Sequence, residues 1–145
     1  MGIVGEEERM RLVLLLCLLW GAVGAGPALA TDWKYLAAHA DQSVTLYYDR
    51  HSVRVTGDFV QVRVKRVFSE QEGRELAEDH EVPEAVAYSL EQVTLDCAGK
   101  RVARRAAVWV GVSGKTLDRD APASGLPWRP MRPGGLGRAL CEELD

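Results

Sequence analysis

The chain has 145 residues with 18 basic and 21 acidic side chains, a formal net charge of −3, and an isoelectric point near 5.7. Hydrophobic residues make up 47% and charged residues 27%, an ordinary globular balance. The length suits one domain, which excludes most multi-domain enzymes and a large barrel, and the mild acidity argues against a nucleic-acid binder, which needs a basic face.

Residues 12–20 read LVLLLCLLW. This run has the length of a signal-peptide core and is too short for a membrane span of about 20 residues. Arg9 and Arg11 supply positive charge ahead of it, and Ala28-Leu29-Ala30 forms a small-residue cleavage site. We expect cleavage after Ala30, making residues 1–30 a leader and residues 31–145 the single exported domain. Glu6, Glu7 and Glu8 do not suit a basic leader, and Met10 would give a cleaner start. A lipoprotein would need a small residue before its cysteine, and Cys17 follows Leu14-Leu15-Leu16. The rival reading is a retained membrane anchor.

The elements of the remaining chain follow in order. Residues 33–38 form a short apolar stretch, expected as the first strand, and 41–43 a polar turn. Residues 44–48 (VTLYY) are β-branched and aromatic, hence a strand. Asp49-Arg50-His51 interrupts it, and 52–55 resumes it. Gly57-Asp58 marks a turn into Val60, Val62 and Val64, which alternate with Gln61, Arg63 and Lys65 as a half-buried strand does. The alternation slips at Arg66-Val67, a bulge or the strand's end. Residues 69–84 are polar and acidic and are interrupted by Gly73 and Pro83, so a long surface connection with one helical turn is expected. Residues 86–97 and 102–112 return to strand character, and Ala98-Gly99-Lys100 joins them as a hairpin. Gly114-Lys115 makes another turn. Residues 118–133 contain Pro122, Pro127, Pro130 and Pro133, which forbids a central strand or a helix interior. Residues 134–144 place Leu136, Ala139, Leu140 and Leu144 at helical spacing, with Cys141 beside the stripe.

With Cys17 gone with the leader, Cys97 and Cys141 remain, 44 positions apart. They allow one intramolecular pairing, and export puts them in an oxidising compartment, so a structural disulfide is expected. Neither cysteine has a C-x-x-C partner, which weakens metal and redox readings. A bridge would hold the short last helix against the sheet.

Chemistry leaves little trace. His39, His51 and His80 are 12 and 29 residues apart, too scattered for a metal site. Gly111-Val112-Ser113-Gly114 lacks the spacing of a nucleophile elbow. There is no phosphate-binding glycine loop, and Gly134-Gly135-Leu136-Gly137 reads as a flexible lead into a helix rather than an anion site. The basic residues Lys100, Arg101, Arg104 and Arg105 read as a solvated strand face, or else as steering for an acidic partner. Trp33, Trp109 and Trp128 suit either a small core or an exposed platform for a ligand. The candidate binding aromatics are Trp109, Trp128, Tyr47 and Tyr48.

The order of motifs resembles a known family. An opening Trp33 precedes Tyr47-Tyr48-Asp49, Ser52-Val53 and a Gly57 turn into Val60-Val62-Val64. Asp96-Cys97, Trp128-Arg129-Pro130 and Leu140-Cys141 follow. Together they are similar to the bacterial surface-adhesin protein E-like domain, over nearly all of 33–141. The resemblance implies an α+β fold: an antiparallel sheet of about six strands whose C-terminal helix is clamped to one face by Cys97–Cys141. It also implies export, no catalysis, no cofactor and a role in adhesion, in which named members bind host extracellular-matrix proteins and plasminogen. We therefore expect a non-catalytic binding or structural module of the bacterial envelope, in the periplasm or at the cell surface, whose partner is an unidentified macromolecule. The alternative is a periplasmic small-ligand carrier using the groove between helix and sheet. An exposed edge strand would also permit a homodimer by sheet extension.

Overall fold

The computed structural model of the chain describes residues 31–120 and 124–145. The leader and cleavage-site expectations, including Met10, Cys17, Ala28 and Ala30, fall outside the described residues, as does Pro122. Residues Thr31–Asp145 form a compact unit built on one antiparallel sheet.

The strands are β1 Trp33–Ala38, β2 Val44–Asp49, β3 Arg54–Thr56, β4 Phe59–Phe68, β5 Val86–Asp96, β6 Arg101–Gly111, β7 Thr116–Asp120 and β8 Arg129–Pro130. The helices are α1 Glu70–Asp79 and α2 Leu136–Leu144. Six strands form the sheet in the order β1-β2-β4-β5-β6-β7. The two short strands complete its ragged edges, β3 beside β4 and β8 beside β6. The expected sheet of about six strands and the C-terminal helix are thus both present. So is the disulfide: Cys97 and Cys141 are bonded, with their Cα atoms 5.8 Å apart.

The interruption at 49–51 has a local cause. Asp49 is 1% exposed, and its carboxylate accepts from the backbone N–H groups of Asp32 and His51. It thereby ends β2 and caps the short 3-10 turn Arg50–Ser52. The chain then re-joins β4 as β3, so β2 and β3 share one edge of the long strand β4.

Two expectations need correction. The slip at Arg66-Val67 is neither a bulge nor an end, because β4 runs in unbroken register from Val60 to Val67 against β5 and on to Phe68 against β2. The period breaks only because Arg66 occupies a core-facing position and pairs there with Glu91. Residues 69–84 contain the ten-residue helix α1 rather than one turn. Ser69 caps it by accepting from the Glu72 N–H at 3.2 Å, and Glu70 and Glu72 favour the positive helix start. Residues 118–120 belong to β7 at the edge of the sheet, in keeping with the expectation that this stretch holds no central strand. Among the described residues 124–133, only the two of β8 join the sheet, at an edge.

Gly73 does not interrupt α1. It is buried in mid-helix, where a Cβ would fall on the carbonyl oxygen of Val86. Glycine is what lets the helix lie directly on β5.

Both helices pack on one face of the sheet. Under α2 lie Tyr48, Val62, Val64, Val93 and Leu95, which with Leu140 of the helix form the larger of two core clusters among the described residues. Under α1, Val86, Ala107 and Trp109 form a second, with Phe68 and Leu76 against it. Burial of such side chains contributes roughly 1.5–3 kcal/mol each. A bulge at Arg105 lets the two ends of β6 serve this arrangement: Gln92 pairs with Ala106 and Val93 with Arg104, leaving Arg105 unpaired.

Candidate functional site

The opposite face of the sheet carries no helix among the described residues. One cross-strand row runs the full width of the sheet: Tyr35, Tyr47, Lys65, Leu90, Val108 and Arg119, each paired with the next. Tyr35 is 61% exposed and meets Tyr47 edge-to-face at 6.1 Å between ring centroids. The Lys65 ammonium lies 4.4 Å from the Tyr88 ring centre and 5.8 Å from that of Trp33. The outcome is a patch of four aromatic rings around one cation, and ring–cation contacts of this kind hold the side chains in fixed positions.

A second aromatic group occupies one corner of the same face. Trp128 packs on Phe59 at 5.3 Å and under the Arg101 guanidinium at 4.7 Å. Arg101 is in turn paired with Asp96 at 2.8 Å. That guanidinium, and then the N–H of Gly99, hold the Asp96 carboxyl below its usual range.

The structure separates the four aromatics named from the sequence. Tyr47 and Trp128 are half-buried on the open face. Tyr48 and Trp109 are core residues, 5% and 7% exposed. Tyr48 donates to Glu143 of α2 at 3.1 Å, and burial, followed by that bond, raises its hydroxyl pKa. Trp109 stacks on His80 at 4.6 Å. Strand alternation explains the split of neighbours Tyr47 and Tyr48 between faces. Trp33 was named only among the tryptophans that suit a core or a platform, and Tyr35 and Tyr88 were not singled out. Trp33 and Tyr35 alternate along β1, Tyr47 lies across from Tyr35 in β2 and Tyr88 comes from β5, so their common face is legible only once the strand pairing is known.

The helix-covered face holds a cleft of about 940 Å³ between the start of α2, the loop before it, and strands β5 and β6. Glu91, 3% exposed, lies in its floor. Its Oε1 is 3.0 Å from Arg66 Nε and 3.6 Å from the Arg104 guanidinium, and Ser89 donates to the same oxygen at 3.4 Å. Oε2 is buried without a hydrogen-bond partner. Arg66 Nε is close enough for ion pairing but is not aligned for a hydrogen bond. Arg104 also reaches Asp120 at 3.3 Å. Arg129 and Arg132 complete the cleft's charge. The basic sequence cluster is therefore divided: Arg101 serves the open face, Arg104 the cleft, and Arg105 the bulge.

The remaining sequence candidates have structural places. His80 pairs through Nδ1 with Asp118 Oδ2 at 2.9 Å. His51 lies in the 3-10 turn, 3.8 Å from Asp32. Ser113 donates to Glu84 at 2.7 Å in the turn between β6 and β7, with no helix after it. Among the described residues no group of three or more His, Cys, Asp or Glu is placed to hold a metal, and no helix is long and apolar enough to cross a membrane.

Comparison with known proteins adds two findings. The family model for surface-adhesin protein E matches residues 33–143. The crystal structure of protein E from non-typeable Haemophilus influenzae aligns with 15% identity and a TM-score of 0.45, covering 83% of this chain and 80% of that one. No curated protein matches the chain.

Proposed function

The chain belongs to the surface-adhesin protein E family, and on that footing we propose that it is an exported, non-catalytic module that binds a macromolecule through its open sheet face. The supporting observation is the asymmetry of the sheet. One face is covered by two helices, while the other presents Trp33, Tyr35, Tyr47 and Tyr88 around Lys65. Tyrosine and tryptophan give large contact area at small entropy cost, and such residues with arginine dominate protein recognition. Pre-ordering by Lys65 lowers the cost further. Residues 1–30 act as the leader, removed after Ala30, and the domain works in the periplasm or at the cell surface.

The test is a binding screen of the exported chain against immobilised host extracellular-matrix proteins. Tyr35→Ala removes an exposed ring and leaves the core intact, so thermal stability should be unchanged. Binding should fall about tenfold or more, the loss typical of a central aromatic contact. Equal binding by the wild type and by Tyr35→Ala, or no ligand in the screen, would count against the face.

A further inference from the structure

We propose that the cleft beside α2 is a second site, distinct from the open face, and that it binds a small acidic sugar. Its volume of about 940 Å³ lies at the upper end of small-ligand pockets. Its chemistry has three parts.

The first is anionic recognition. Arg66, Arg104, Arg129 and Arg132 outnumber the two carboxylates, Glu91 and Asp120, that line the same space. Gly135 and Leu136 at the start of α2 also line it, and no side chain caps that helix. The Gly135 N–H is donated to the Arg132 carbonyl, so a carboxylate placed there meets the N–H groups that follow it in the first turn together with the guanidinium forks.

The second is a hydrogen-bond acceptor that the protein itself leaves unused. Glu91 is held by Arg66, Arg104 and Ser89 through one oxygen only, and its Oε2 has no partner. A buried polar atom without a partner is destabilising, so a ligand hydroxyl that donates to it gains what the fold forgoes. An anion without such a donor does not.

The third is an apolar wall. Val93, Val102, Met131, Leu136, Pro127 and Pro130 line the cleft and suit the C–H face of a pyranose ring. Carboxylate, hydroxyl donors and an apolar ring face occur together in uronic and sialic acids. A fatty acid lacks the hydroxyls, and a neutral sugar lacks the charge.

The experiment is isothermal titration calorimetry on the exported full chain with glucuronic acid and N-acetylneuraminic acid, using glucose and acetate as controls. Dissociation constants at or below about 1 mM are expected for the acids, with neither control binding. Glu91→Gln tests the buried acceptor. Should that variant fail to fold, Arg104→Gln and Arg129→Gln, both at exposed side chains, carry the test. Each should weaken binding tenfold or more, and Arg129→Gln should do so without lowering the melting temperature. Methyl glycosides separate the sources: undiminished binding assigns a glycan terminus, and loss assigns the free sugar. The site is overturned if the acids do not bind, if acetate binds equally well, or if the arginine variants bind like the wild type. Tyr35→Ala should leave sugar binding intact, so failure here and failure of the open face are told apart.

Discussion

At the scale of single residues, three hydrogen-bonded carboxylates set the acid limit of the domain. The Asp118 carboxyl is held below its usual value by its hydrogen bond with His80, then by the N–H of Arg119. Asp96 is held down by Arg101 and Gly99. Glu84 is held down by the Ser113 hydroxyl and N–H. In each case the folded pKa lies below the unfolded value, 3.8 for the aspartates and 4.5 for the glutamate. Their contribution is therefore complete above the unfolded values and is lost as pH falls through the depressed ones. The melting temperature should be level down to about pH 5 and fall below about pH 4. Asp96→Asn should make that fall shallower, as a series of thermal melts would read. A variant curve that overlays the wild type would show that the Arg101 pairing adds nothing.

At the scale of elements, α1 is the sharpest test of why glycine sits where it does. In isolation Gly73→Ala would favour a helix by about 1 kcal/mol. Here the new Cβ meets backbone of β5 at Val86, and a forced backbone shift costs roughly 1–3 kcal/mol. Gly73→Ala should therefore lower stability in a denaturant titration, and a gain would contradict the close approach. The same helix shows what was legible in the chain. The alternation of Val60, Val62 and Val64, the hairpin around Ala98-Gly99-Lys100 and the Leu136-Leu140-Leu144 stripe all follow local rules, and the structure contains all three. α1 was missed because Gly73 and Pro83 outweighed Ser69-x-x-Glu72, a sequence pattern that also marks a capped helix start. The cleft was illegible for a different reason. Arg66 on a core-facing position breaks the hydrophobic period, and Glu91, which compensates it, comes from another strand. Only pairing places them together.

At the scale of the whole molecule, the Cys97–Cys141 bond joins the end of β5 to the last helix. α2 supplies Leu140, fully buried, to the main core, and a nine-residue helix is marginal by itself. The chain-entropy model assigns about 4 kcal/mol to a loop of this length, a large share of a typical 5–15 kcal/mol total. Cys141→Ala should lower the melting temperature by roughly 15 °C or more, and thiol titration of the native domain should find neither cysteine free. An unchanged melting temperature would mean that α2 holds its place by packing alone.

The unpaired Arg105 has a consequence for the molecule as a lineage. Arg101 and Trp109 are an even number of positions apart, yet one lies over Trp128 on the open face and the other lies in the core. The extra residue inverts the parity of β6 midway. Losing that one codon would turn half the strand inside out, exchanging interior for exterior. Nearby substitutions are absorbed one side chain at a time, but a change in length here is not, and sequences descended from this one should vary in letters along β6 long before they vary in count.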